Sequence, residues 1–259
     1  MLKFKTFDMI QEMAAMNVSK LNAEFLARAQ KVTSFNLKGD DFITLDYKAE
    51  IQHLFHMHFF PKFDLKNTIE GVDINKMNSV INKLKQEDSA MFSKMHNYNL
   101  KGVGPGEVTL YFIVNSAHLG GGSSAGVDLV ASNGKFEVKA TKVGRDGYAS
   151  DFKLGGTAPL SDIIIMLDNI RVKHKLGGTR TEMSGAIMDQ MKKLAPEEFA
   201  TAQEKFAGVA ADYFKGHKVI FINNSPSNLG RIEAIKEVKK ADVIIERVTS
   251  GTIKPKVKL

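Results

Sequence analysis

Asp128, Glu137 and Lys139 stand in the stretch Gly126-Val127-Asp128-Leu129-Val130-Ala131-Ser132-Asn133-Gly134-Lys135-Phe136-Glu137-Val138-Lys139-Ala140. Two carboxylates and an ammonium directed at one spot could hold a divalent cation through hard oxygen ligands with a fixed positive charge beside it. A hairpin would bring them together. Asn133-Gly134 lies between alternating apolar runs, and such a pair predicts a two-residue type I′ turn, which needs φ > 0 at both positions. In that register Ser132 faces Lys135, Val130 faces Glu137 and Asp128 faces Lys139. Side chains alternate along a strand, so Asp128, Glu137 and Lys139 share one face, while Phe136, Val138 and Ala140 point into a core. Opposed Cβ atoms are about 4.5–5.5 Å apart and diagonal ones about 7–8 Å, close enough for both carboxylates to reach one ion.

Glu-x-Lys alone also fits many solvated amphipathic strands, so its upstream context matters. Gly102-Val103-Gly104-Pro105-Gly106-Glu107 precedes the apolar run Val108–Val114. Pro105 suits the first turn of a helix, and Glu107 falls in that turn, where the helix dipole favours an anion.

A glycine-rich entry, a first-turn glutamate, an aspartate strand and a Glu-x-Lys strand, in that order, resemble the PD-(D/E)XK nuclease superfamily, the fold of many restriction enzymes and phage or repair nucleases. The residue before the aspartate is Val127 rather than proline. The resemblance implies an α/β fold with a restriction-endonuclease-like αβββαβ core, a mixed sheet flanked by helices. It implies a DNA-directed, metal-dependent nuclease, an endonuclease in the first instance. Asp128 and Glu137, with the backbone carbonyl of Val138, would hold Mg²⁺ or Mn²⁺. Glu107 would hold a second ion or a metal-bound water. Lys139 would orient or deprotonate the attacking water, or stabilise the phosphate. Lys142, Arg145 and Lys153 are the expected nucleic-acid contacts.

The remaining chain must supply the other core elements. Lys218–Asn223 reads as a buried strand. Ser227 could cap a helix through Lys240, with Leu229, Ile232, Ile235 and Val238 at helical spacing. Asp242–Val248 reads as a strand, and Ser250-Gly251 as a turn into a last one, which Pro255 and alternating lysines suit to a sheet edge. Residues from about 143 to 215 then form a largely helical insertion between the second and third core strands, with helices at Met183–Leu194 and Pro196–Phe214 and an irregular Ser150–Ser161. The expected organisation is a helical region over 1–100 and the nuclease-like domain over 101–259. In the first region Phe7, Ile10, Gln11 and Ala14 suggest one helix. Ser19 caps a second carrying Leu21, Phe25, Leu26 and Ala29, and Met77, Val80, Ile81 and Leu84 mark a third.

The 259 residues include no cysteine, which removes disulfides, thiol catalysis and cysteine-zinc sites. No apolar run approaches the ~18–20 residues that span a bilayer, and the N-terminus lacks a signal-peptide pattern, so the expectation is a chain without a membrane partner. A cytoplasmic (host-cell) or virion-associated setting fits, since the opening Met-Leu-Lys-Phe-Lys-Thr-Phe and the lysine-rich chain resemble tailed-phage proteins. A net charge of +7 favours a polyanionic partner through counterion release. Lys135, Lys142, Arg145, Lys153, Arg171, Lys173, Lys175 and Arg180 surround the proposed site in sequence. A homodimer or a viral protein partner is a further expectation, and a catalytically idle virion or DNA-binding component on the same fold is the alternative function.

Other constellations carry less. His53, His56 and His58 lack a completing acid, and only the first two would share a helical face. Gly120-Gly121-Gly122-Ser123-Ser124 lacks the Gly-Lys-Ser/Thr ending of a P-loop, and His118, Ser123 and Asp128 have no nucleophile elbow. Gly155-Gly156-Thr157 and Gly177-Gly178-Thr179 read as turns rather than phosphate loops.

Overall fold

The computed structural model describes residue 56 and residues 59–98, 104–115, 117–119, 127–154, 160–214 and 216–259. The expected helices at Phe7–Ala14 and after Ser19, His53, His58, the Gly120–Ser124 link and Gly155-Gly156-Thr157 lie outside them. The chain is α/β: among the described residues, one strand pair forms a separate two-stranded parallel sheet, and an eight-stranded sheet is built largely of antiparallel ladders. It divides into two compact units, 1–138 with 226–232, and 139–225 with 233–259.

In the first unit, α1 (Ile74–Glu87) and α2 (Ser89–His96) are amphipathic helices. Asp73 and Asp88 cap them by accepting from Lys76 N and Met91 N, each at 2.8 Å. Met77, Val80, Ile81 and Leu84 are the buried stripe that their spacing predicts. α3 (Glu107–Ile113) is buried along its whole length, as a helix apolar on every side must be. It begins one residue after Gly106, so Pro105 stands outside the helix rather than in its first turn. β1 (Ile69–Glu70) pairs in parallel with β2 (Val114–Asn115), and β3 (His118–Leu119), β4 (Leu129–Ala131) and the start of β5 (Gly134–Val143) form an antiparallel ladder.

In the second unit β5 continues to β6 (Tyr148–Ser150), which pairs with β10 (Thr252–Lys258), and β10 with β9 (Val243–Thr249). β7 (Lys218–Asn223) pairs with β5 and with β8 (Ile232–Glu237). Three helices, α4 (Ser161–Lys173), α5 (Gly185–Leu194) and α6 (Pro196–Phe214), share a core with Ala149, Val243, Ile245, Val248, Ile253 and Val257. Phe199, Ala202, Phe206, Ala210 and Phe214 recur at helical spacing down the inner side of α6. Pro196 at its first position and Glu197 and Glu198 behind it favour that start. α4 went unforeseen in the sequence, because a run of three isoleucines reads equally as strand. β6 interrupts the region expected to be helical.

Two expectations are corrected. The helix expected from Ser227 to Lys240 is a 3₁₀ turn at Pro226–Asn228 followed by strand β8. Gly230, at φ +80°, turns the chain where a Cβ would stand 2.4 Å from the Phe92 ring. Beyond it the Asn78 side chain pairs with the backbone of Ile232 as a neighbouring strand would, accepting from its N–H at 2.8 Å and donating to its carbonyl at 3.0 Å. Tertiary pairing overrides a strong local helix propensity there. Secondly, β10 lies between β6 and β9 instead of at an edge. Pro255 is accommodated because the register slips between Lys254 and Pro255, and β6 pairs only with Val257 and Lys258.

Candidate functional site

The hairpin forms two residues out of the register that an Asn-Gly turn sets. Leu129 pairs with Phe136, Val130 with Lys135 and Ala131 with Gly134, so Ser132 and Asn133 make the turn. Neither has the positive φ of a type I′ turn. The Asn133 side chain is engaged elsewhere: its Oδ1 accepts from Val72 N at 2.8 Å and its Nδ2 donates to Val72 O at 3.0 Å. Gly71 beside this clamp has φ +66°, and a Cβ there would stand 2.7 Å from Asn133 Cγ. A two-residue slip keeps every side chain on its face, whereas a slip of one would exchange them. Counting back from the Leu129–Phe136 pair sets Asp128 against Glu137 rather than Lys139.

Asp128 sits just before β4, with its N–H donating to Phe136 O at 2.9 Å and its Oδ2 accepting from Val138 N at 2.9 Å. The Asp128 backbone thus meets the main chain just before Glu137, and its carboxylate meets the main chain just after it. Glu137 is 2% exposed although its neighbours Phe136 and Val138 take the other face, so β5 is covered on both sides here. Ala140, expected in the core with them, is only half-buried. Glu107 opens α3, is 8% exposed, and accepts from Gly104 N through Oε1 at 2.7 Å.

Lys139 follows Glu137 on the same face of β5. Its Nζ donates to the Tyr213 hydroxyl at 3.3 Å and lies 5.3 Å from the centre of that ring. Tyr213, on α6, was not foreseen. Its place at the margin of the apolar stripe, three residues after Ala210, is the signal that could have found it. Lys142 lies an odd number of residues from both Glu137 and Lys139 and takes the opposite face, 59% exposed and paired with Asp151 Oδ2 at 2.7 Å. That ammonium holds the Asp151 carboxyl below its ordinary value, and Arg247 adds to the effect against partial burial. Arg145 is exposed in the β5–β6 turn, and Lys153 is exposed beyond β6. Gly177-Gly178-Thr179 is a turn closed by the Thr179–Glu182 bridge. His56 is buried, with Nε2 and Phe112 O 2.6 Å apart.

Among the described residues, no three His, Asp or Glu side chains gather into a group that could hold a metal ion. Asp128 and Glu137, set opposite each other across the hairpin, form a smaller set with the Val138 carbonyl. The smaller set still has the donor chemistry of a hard divalent cation, two carboxylates and a main-chain carbonyl, all oxygen. A carboxylate accepts at both oxygens, and Asp128 Oδ2 is engaged by Val138 N. Among the described residues no helix is long and apolar enough to cross a membrane. Comparison with protein-family models, with curated proteins and with solved structures finds no match.

Proposed function

We propose that the protein is a metal-dependent nuclease of the PD-(D/E)XK kind, hydrolysing phosphodiester bonds of DNA. The observation that carries the reading is Asp128 set opposite buried Glu137 across the hairpin, its carboxylate on Val138 N, with Lys139 next on the same face of β5. Asp128, Glu137 and the Val138 carbonyl would hold Mg²⁺ or Mn²⁺, which neutralises charge developing on the phosphate and lowers the pKa of a bound water. Lys139, steadied by Tyr213, would place its ammonium against the attacking water or the phosphate oxygens. Glu107 anchors the entry to α3 and would act at most through a water. The αβββαβ core remains part of this proposal, with a strand where its last helix was expected.

The idle-fold reading has its own observation. Glu107, Asp128 and Lys139 each make a hydrogen bond that a purely structural role would also use. One experiment separates the two: incubation with circular and linear DNA in Mg²⁺, Mn²⁺ or EDTA, beside Glu137→Gln and Lys139→Ala. The nuclease reading expects metal-dependent cleavage that both variants lose by at least about a hundredfold, the scale of removing one transition-state contact. Folded wild-type protein that cuts nothing, or variants that cut undiminished, would leave the idle reading.

A further inference from the structure

The second unit carries a sheet face that its helices do not cover. Ala149, Val243, Ile245, Val248, Ile253 and Val257 point to the core shared with α4, α5 and α6. Alternation then places Lys254, Lys256 and Lys258 of β10 on the other face, with Tyr148 of β6, Lys142 of β5 and Arg247 of β9. Pairing sets Lys258 beside Tyr148 and Lys254 beside Arg247. Alternate lysines on a strand stand about 6.6 Å apart, which makes a row of evenly spaced charges. Carboxylates answer only part of it. Asp151 lies between Lys142 and Arg247, at 2.7 and 2.8 Å, Asp146 meets Lys256 at 3.2 Å, and Glu246 meets Arg247 at 2.5 Å. Lys254 and Lys258 make no ion pair among the described residues.

We propose that this face binds the phosphate backbone of DNA, with the β10 lysines on phosphates. A single-sign row of half-buried to exposed lysines, left in excess over its carboxylates, complements a polyanion. It also gives Lys142 a role on the face it actually occupies. The proposal does not depend on cleavage.

The test is binding of a short labelled duplex DNA in EDTA, followed by anisotropy over a range of KCl. Lys254→Gln with Lys258→Gln should lower the slope of log K against log salt by about 1.8, since each phosphate contact contributes about 0.9. Lys254→Arg with Lys258→Arg should keep it, and so should Lys193→Gln with Lys205→Gln on the helices. A wild-type slope in the folded Gln pair, an equal drop in the helix pair, or binding to RNA without binding to DNA would each overturn the proposal. Loss of cleavage in Glu137→Gln with DNA binding retained would separate this surface from the catalytic reading. Binding by a wild-type protein that never cuts would leave the surface standing alone.

Discussion

Asp128 has two jobs in the proposed site, and its two oxygens allow them to be separated. Asp128→Asn keeps an oxygen able to accept from Val138 N, so the hairpin should hold, while the anionic donor is gone. Mg²⁺ at a hundred times its dissociation constant should stabilise the wild type by about 2.7 kcal/mol. Thermal melts with and without Mg²⁺ should show that gain, and Asp128→Asn should show none. Asp151 offers an independent check on the charged face. Its pKa is lowered in the folded chain, so its contribution is present above the ordinary carboxylate value and is lost as pH falls through the lowered one. Asp151→Asn should therefore destabilise at pH 7 by less than about 1 kcal/mol, the side chain being partly exposed, and the difference should vanish once the pH falls through the lowered value. A difference that persists in acid would mean that packing, not charge, is what Asp151 contributes.

At the scale of elements, β9 is the strand whose outer side needs covering, and α6 supplies part of the cover. Gln203 donates to Val243 O and accepts from Ile245 N, both at 2.8 Å, while Met183 exchanges two backbone bonds with Val248. A side-chain amide here does what another strand would do, which blunts an aggregation-prone edge. Gln203→Ala should cost about 1–3 kcal/mol, because two partly buried backbone groups lose their partners, and denaturant melts would measure it. α1, α5, α6, β7, β9 and β10 were legible because each carries its own periodicity or a bounded apolar run. β8 was not, since Asn78, distant in sequence, decides its backbone pairing. The hairpin was legible but its register was not, because Val72 outcompetes the local turn for the Asn133 side chain. Of the site, the shared face of Glu137 and Lys139 followed from strand alternation, and Tyr213 required the helix that tertiary packing brings over it.

For the molecule as a whole, the boundary between the two compact units falls between Val138 and Lys139, inside the Glu137-Val138-Lys139 motif. The first unit is also completed late. Gly230 and Ile232, which pack on Phe92 and bond to Asn78, follow the whole of Lys139–Ser225 in the sequence. During synthesis, which runs from the N-terminus, α1 and α2 must wait for that short segment while most of the second unit is already outside the ribosome. A nascent chain arrested just after Ser225 should leave Ile74–His96 open to protease, and one extended past Glu237 should protect it. Throughout that interval the apolar stripe of α1, Met77, Val80, Ile81 and Leu84, would lack the late segment that completes its unit.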